Sequence, residues 1–255
     1  MEAVIYMCHG SRVPQAKMES FALIDRVKKG VTVPIQETCF LELQDPTLSE
    51  VVRKVVDKGV TKIIVMPILL LTAGHAKKDI PEMIGEEKSK YPDVTFIYGR
   101  AIEVERKMVD VLVERIKECT ATVEHYDILL VGRGSSDMNA IADTEQIVTM
   151  LRQHYPANTI EKCFLAASKP KFEEFLTAKI KQKKSVLILP YILFTGLLDV
   201  GIKDFINQLR LVDGQEILLA DYLGHHRYVS DILIDRVREA KEGAGIHAAM
   251  VKRSS

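Results

Sequence analysis

Two histidines and one glutamate in this sequence have the side-chain chemistry of metal ligands, and each lies near or just after the end of a segment with the pattern of a β-strand. They are His9, Glu42 and His75. In open α/β sheets, ligands bind beyond the carboxyl ends of the strands, so side chains at neighbouring strand ends can converge. Two neutral imidazoles and one carboxylate suit a borderline divalent ion such as iron(II) or cobalt(II), with coordination positions left open.

The elements that must position these residues alternate between β-branched runs and amphipathic stretches, which is typical of a parallel sheet covered by helices. In the first half the predicted strands are Ala3–Cys8, Ile35–Leu43, Lys62–Met66 and Val94–Tyr98, and the predicted helices are Gln15–Lys29, Thr47–Lys58, Lys77–Lys90 and Glu103–Glu118. In the second half the predicted strands are Asp127–Val131, Ile160–Ala166, Ser185–Leu189 and Glu216–Tyr222. A 2-1-3 strand order makes the three candidate strand ends neighbours. Pro67 and Pro190 should each end a third strand, because proline cannot donate to the ladder.

The second half repeats the first at an offset of 124 residues, which becomes 123 after one deletion. His9-Gly10-Ser11-Arg12 corresponds to Arg133-Gly134-Ser135-Ser136, and Cys39-Phe40-Leu41 corresponds to Cys163-Phe164-Leu165. Several matches in one order indicate two tandem copies of one four-stranded α/β domain. We therefore predict an N-terminal domain over 1–123 and a C-terminal domain over 124–255, each a flavodoxin-like parallel sheet flanked by helices.

The second copy serves as an internal control for the candidate ligands. An isolated histidine at a strand end is often only a satisfied polar residue, and a glutamate there can simply pair with a lysine. The matching positions of the second copy hold Arg133, Ala166 and Leu198. The apolar framework and turn residues are kept while all three polar groups are gone, so the fold does not need them. We assign the metal site to the first half alone.

Basic residues near the same strand ends have the charge to meet ligand carboxylates. They are Arg12, Lys77, Lys78, Arg100 and Arg133. The turn at 132–136 is glycine-rich and follows a strand, which is compatible with an anion-binding turn. It lacks the GxGxxG and GxxxxGK[ST] patterns, so a nucleotide site is not indicated.

Three segments together resemble the class II tetrapyrrole chelatases, and among them the bacillus-type sirohydrochlorin chelatases. They are Cys8-His9-Gly10-Ser11-Arg12, Phe40-Leu41-Glu42, and the stretch from Met66-Pro67 through Thr72-Ala73-Gly74-His75-Ala76-Lys77-Lys78 to Pro81. The resemblance covers almost the whole chain. It implies an enzyme of the lyase class that inserts Fe²⁺ or Co²⁺ into sirohydrochlorin in a cleft between the two domains, releasing two protons.

The resemblance also implies roles for individual residues. His9, Glu42 and His75 would be metal-ligating and catalytic, and the substrate would contact Ser11, Arg12, Lys77, Arg133, Ser135 and Ser136. The metal is then a substrate, and no prosthetic group is expected. Some relatives carry a histidine-rich tail and a cysteine motif for an iron–sulfur cluster; this sequence has neither, so no cluster is expected.

The composition of the sequence limits the partners and the cellular location that we expect for the protein. The 255 residues include 35 basic and 35 acidic side chains, and this zero net charge argues against a nucleic-acid partner. No apolar run approaches the roughly 20 residues of a membrane span, and the N-terminus lacks the features of a signal peptide. The four cysteines show no CxxC spacing, so we expect reduced thiols, mostly buried, in a cytoplasmic protein. Because two domains in one chain already supply a two-sided cleft, we expect a monomer.

Two other functions remain open from the sequence. A histidine phosphotransfer enzyme would use His9 beside Gly10, with His75 and Arg100 at the phosphate. A non-catalytic carrier would store or transport the metal or the tetrapyrrole. A turnover assay separates a chelatase from both.

Overall fold

The computed structural model describes residues 1–243 and 246–247, including every side chain in these ranges except those of His75, Ile246 and His247. The chain forms two compact units. The first comprises Met1–Glu103 with the described part of Ser230–Ser255, and the second comprises Val104–Val229. No helix in the described ranges is long and apolar enough to cross a lipid bilayer.

The helices and strands follow the predicted alternation. The first unit contains β1 (Glu2–Cys8), α1 (Pro14–Gly30), β2 (Ile35–Phe40), α2 (Leu48–Val56), β3 (Lys62–Pro67), a π-helical turn (His75–Asp79), α3 (Ile80–Lys90) and β4 (Thr95–Tyr98). The second contains α4 (Arg106–Cys119), a 3-10 turn (Val123–His125), β5 (Asp127–Gly132), α5 (Met138–His154), β6 (Ile160–Phe164), α6 (Phe172–Lys181), β7 (Val186–Tyr191), α7 (Leu197–Gln208) and β8 (Ile217–Leu219). Helix α8 (Arg227–Lys241) begins in the second unit and continues into the first, to which β9 (Ile246–His247) belongs.

The sheet of the first unit has the strand order β2-β1-β3-β4-β9, so the predicted 2-1-3 order is confirmed. The first four strands are parallel, with Met7 opposite both Cys39 and Pro67. The structure adds a short fifth strand that the sequence did not predict: β9 pairs antiparallel with β4. This addition covers the otherwise free edge of β4, and exposed sheet edges are a liability that proteins commonly cover.

The sheet of the second unit has the order β6-β5-β7-β8 and is parallel throughout. The predicted α/β class with two tandem four-stranded parallel sheets is therefore confirmed. Each third strand stops near its proline: β3 ends at Pro67, and β7 ends at Tyr191, one residue past Pro190. Inward-facing residues of the strands pack with the covering helices into a separate apolar core in each unit.

The compact units do not coincide with the sequence repeat predicted over 1–123 and 124–255. Helix α4 comes from the first repeat but belongs to the second unit, and most of α8 comes from the second repeat but belongs to the first unit. Each unit therefore contains a helix that the other repeat contributes. An amphipathic pattern marks the apolar face of a helix but not the sheet that it covers, so the sequence did not reveal this exchange.

A buried arginine anchors each exchanged helix by matching contacts. In α4, Arg115 donates to the backbone oxygen of Tyr222 over 3.0 Å. In α8, Arg236 donates to the backbone oxygens of Ala101, over 3.1 Å, and Ile102, over 2.8 Å. A buried guanidinium needs such acceptors, because an unpaired buried charge is costly. In both units, the loop after the fourth strand supplies these acceptor oxygens.

Candidate functional site

The candidate site of the first unit starts at the turn that follows β1. Gly10 has φ +97°, and a Cβ atom there would overlap the backbone oxygen of Glu42. Glycine is required at this position, because it adopts the left-handed region without strain and allows the close approach. The Glu42 N–H donates to the His9 oxygen over 3.1 Å, and the Leu41 N–H donates to the Cys8 oxygen over 2.8 Å. These bonds hold the end of β2 against the end of β1.

This turn brings two of the three predicted ligands together. The His9 Nδ1 atom lies 3.4 Å from the Glu42 Oε1 atom. The side chain of His9 is 27% exposed and that of Glu42 is 48% exposed. An imidazole and a carboxylate are thus paired at the edge of the sheet, where an ion from solvent can reach them.

The third predicted ligand, His75, begins the π-helical turn after β3, which places its backbone beyond the carboxyl end of the strand beside β1. The side chain of His75 lies outside the described part of the chain. Among the described residues, no group of three or more histidine, cysteine, aspartate or glutamate side chains could hold a metal ion. The three-ligand set therefore remains a prediction that His75 must complete.

Cys8, which precedes His9 in the chain, is a buried thiol. Cys8 is 3% exposed, and burial raises the pKa of its thiol to about 12, despite a hydrogen bond with Ser20. A thiol in this state is not a thiolate ligand at neutral pH. Cys39 and Cys163 are also buried free thiols, as expected, whereas Cys119 is only partly buried.

The second unit repeats the backbone of this turn with different side chains. Gly134 has φ +89°, and a Cβ there would overlap the backbone oxygen of Ala166. The Ala166 N–H donates to the Arg133 oxygen over 2.8 Å, as Glu42 does to His9. Arg133 is exposed, so this turn presents a cation where the first turn presents the histidine–glutamate pair.

The two serines predicted to contact substrate take part in the turns themselves. The Ser11 hydroxyl oxygen accepts the Val13 N–H over 3.1 Å, and the Ser135 oxygen accepts the Asp137 N–H over 3.0 Å. The backbone of Ser135 is also paired with the Ser168 hydroxyl in both directions. The sequence did not reveal this local role, which is the common turn chemistry of serine. Contact with substrate stays a prediction for both.

The other predicted substrate contacts are exposed side chains. Arg12 follows the first turn, Lys77 lies in the π-helical turn, and Ser136 follows Ser135. Their side chains reach solvent, but exposure alone does not show contact with a ligand. Their contact with a ligand is therefore also still a prediction.

Tyr98 and Glu103, which the sequence did not single out, hold the segment around His75 through hydrogen bonds. The Tyr98 hydroxyl donates to the Ala76 oxygen over 3.0 Å in a buried position. The Thr72 hydroxyl donates to the Glu103 Oε1 atom over 2.9 Å. Glu103 was predicted inside a helix over Glu103–Glu118, but it has φ +61° and precedes α4, which begins at Arg106. The matching backbone position of the second repeat is Gly224, whose N–H donates to the Leu193 oxygen as Glu103 does to Leu70. This match comes from the structure, and the repeat in the sequence did not reveal it.

Comparison with known proteins agrees with the duplicated organisation. A model of the CbiX family matches residues 3–119 and again residues 127–240. A sirohydrochlorin ferrochelatase of Priestia megaterium is 44% identical over 248 residues, which cover 96% of this chain and 92% of that protein.

Two solved structures have a similar fold over the whole chain. The structure of SirB from Bacillus subtilis with Fe³⁺ has a TM-score of 0.85 and 35% identity, covering 96% of this chain and 99% of SirB. The structure of the sirohydrochlorin chelatase SirB from Bacillus subtilis subspecies spizizenii with cobalt has a TM-score of 0.83 and 35% identity, covering 95% of this chain and 97% of that one.

Proposed function

The chain belongs to the CbiX family, and on that basis we propose that it is a sirohydrochlorin metallochelatase, an enzyme that inserts iron(II) or cobalt(II) into sirohydrochlorin. The products are siroheme or cobalt-sirohydrochlorin and two protons. The resemblance found in the sequence, the two-sheet fold and the chelatase relatives all support this function.

The observation that carries the proposal is the pairing of His9 with Glu42 on a backbone that the second unit copies without these ligands. A pair that held up the fold would be needed in both units. Its presence in one unit only supports a chemical role. We assign the metal ligands to His9, Glu42 and His75, in the first repeat over 1–123, while the second repeat over 124–255 lacks them.

The ligand types fit the chemistry of metal insertion. The reaction removes two pyrrole N–H protons and exchanges the ligands of the metal for four ring nitrogens. Imidazole and carboxylate bind iron(II) or cobalt(II) firmly enough to position the ion, whereas thiolates would tend to trap it. Neutral imidazole also accepts protons near neutral pH, because an unperturbed histidine titrates at about 6.5. His9 and His75 are therefore the candidate proton acceptors, along with the Glu42 carboxylate.

At the matching turn, the second unit has the positive charge of Arg133 where the first unit has the His9–Glu42 pair. Arg133 cannot ligate a cation, since guanidinium stays protonated and offers only donors. It can bind a carboxylate through two parallel hydrogen bonds. We assign Arg133, with Ser135 and Ser136, to the acidic groups of the macrocycle, and Ser11, Arg12 and Lys77 to the same substrate on the first unit.

The remaining parts of the proposal concern the state of the protein in the cell. We propose a cytoplasmic monomer that uses no prosthetic group and no iron–sulfur cluster, and has no nucleic-acid or membrane partner. The neutral net charge and the reduced, mostly buried cysteines support this description.

The proposal is tested by metal insertion into sirohydrochlorin, followed by absorbance under anaerobic conditions with iron(II) and cobalt(II) in parallel. A chelatase turns over many equivalents of tetrapyrrole per protein chain. Insertion that stops near one equivalent would indicate a carrier instead. Hydrolysis of phosphate esters without metal insertion would indicate a phosphotransfer enzyme.

A further inference from the structure

Glu103 stands out because it is a non-glycine residue in the left-handed region, with φ +61°, beside a candidate site. Side chains rarely adopt this conformation, and it persists only where several surrounding contacts enforce it. Such residues cluster at functional sites, so the contacts that enforce this one are informative.

The backbone of Glu103 is tied to the segment that leads to His75. Its N–H donates to the Leu70 oxygen over 2.7 Å, and the neighbouring Ile102 N–H donates to the Leu69 oxygen over 3.0 Å. The buried Arg236 binds the Ile102 oxygen from the other side. The loop after β4 is thus fixed between α8 and the segment after β3.

The side chain of Glu103 adds further hydrogen bonds to this attachment. One carboxylate oxygen accepts the Thr72 hydroxyl, three residues before His75, and the other accepts two hydrogen bonds from Arg100, the shorter of 2.6 Å. Burial alone would raise the pKa of Glu103. The hydrogen bonds from Arg100 and Thr72 and the charges of Arg100 and Arg236 outweigh burial and lower it. The group is therefore an anion held in one orientation.

The second repeat shows that this carboxylate is not part of the common framework. The matching backbone bond is kept, since the Gly224 N–H donates to the Leu193 oxygen over 2.8 Å. Gly224 has no side chain to reach Thr195, which matches Thr72. The Thr195 hydroxyl donates to Asp199 in α7. The unit with the candidate ligands therefore has a carboxylate in this loop that holds Thr72, and the matching position of the other unit has no side chain.

We propose that Glu103 is a positioning residue for metal binding, which fixes the turn that carries His75 by holding Thr72. This inference rests on the proposed function in taking His75 as a metal ligand. A ligand on a turn contributes fully only if the turn is held in place before the metal arrives. Tyr98 anchors the same turn at Ala76, so the turn is attached on both sides of His75.

The test compares Thr72→Val with Thr72→Ser, and with Thr195→Val as the matched control in the second unit. Each protein is titrated with cobalt(II) alone, assayed for metal insertion, and followed through thermal unfolding. Removing a hydrogen bond that orients a metal ligand typically weakens metal affinity about 10–100-fold. We expect Thr72→Val to weaken cobalt(II) binding about 10-fold. It should also lower kcat with an unchanged KM for tetrapyrrole, whereas Thr72→Ser and Thr195→Val should bind cobalt(II) like the wild type.

Glu103→Gly provides a second route to the same result, because glycine suits the left-handed backbone while removing the carboxylate. It should weaken cobalt(II) binding at least as much as Thr72→Val, because it also removes the hydrogen bonds from Arg100. Adding Thr72→Val to Glu103→Gly should cause no further loss, since the bond from Thr72 is already gone. Wild-type cobalt(II) affinity and kcat in folded Thr72→Val would overturn the proposal, as would an equal loss in Thr195→Val. If the wild type binds cobalt(II) but inserts none, the proposed function fails while the comparison of affinities still decides the role of Glu103.

Discussion

The turns after β1 and after β5 share a backbone and differ in chemistry. In both turns a glycine with positive φ lies against the backbone oxygen of a residue that follows the next strand of the chain, Glu42 or Ala166. In both, the N–H of that same residue donates to the backbone oxygen of the residue before the glycine. The segments that follow β2 and β6 also share a cis proline, Pro46 in the first unit and Pro170 in the second. The first turn presents His9 beside Glu42, and the second presents Arg133 beside Ala166.

This contrast separates what the fold needs from what the reaction needs. Glycine is kept because the close approach of two strand ends requires it, and the serine is kept because it accepts a backbone N–H within the turn. The ligands changed without loss of the turn, so their presence in the first unit requires a different explanation. We propose that the metal binds to the first unit and an anionic group of the substrate to the second.

The largest effect is expected for His9→Ala and His75→Ala. Residues that only orient metal ligands are worth about 10–100-fold, so loss of a ligand should lower turnover by at least about 100-fold. Stability should change by no more than about 0.5 kcal/mol, as for other substitutions outside the core. Anaerobic insertion kinetics and thermal unfolding measure the two quantities. A folded variant with full turnover would remove that histidine from the site.

A smaller loss is expected for Glu42→Ala, about 10-fold or more in turnover, because water can take the place of a carboxylate in an open coordination sphere. Glu86→Ala removes an exposed carboxylate from α3 and serves as the control. The same insertion assay compares the two. If both variants turn over like the wild type, Glu42 is only a surface charge that pairs with His9.

The smallest of the three effects concerns Arg133. A hydrogen bond to a charged group is worth about 1.5–3 kcal/mol, so Arg133→Ala should raise the KM for sirohydrochlorin about 10-fold. The KM of Arg133→Lys should lie between those of the wild type and Arg133→Ala, since lysine keeps the charge but not the bidentate geometry. Substrate saturation curves at fixed metal concentration give these values. An unchanged KM in both variants would mean that the second turn does not contact the acidic groups.

Much of this architecture could be predicted from the sequence. The alternation of elements, the 2-1-3 order and the strand ends at Pro67 and Pro190 follow from patterns that act over short distances. The pairing of His9 with Glu42 followed from the rule that parallel strands end at one edge of a sheet. These features depend on local chemistry and on one general rule of topology.

Other features depend on contacts between distant segments, which periodicity does not encode. The helical pattern of α8 gave no sign that Arg236 would bind the loop after β4. The predicted helix that started at Glu103 was wrong at its first residues, because tertiary contacts hold Glu103 in the left-handed region. The bond from Thr72 to Glu103 was missed for the same reason.

The most direct test of the account is the stoichiometry of cobalt(II) binding, measured by isothermal titration calorimetry on the wild type, His9→Ala and Arg133→Ala. The account predicts one ion per wild-type chain, loss of binding in His9→Ala, and nearly unchanged affinity in Arg133→Ala. Two tightly bound ions per chain, or loss of the ion in Arg133→Ala with normal substrate affinity, would contradict the assignment of the metal to the first unit.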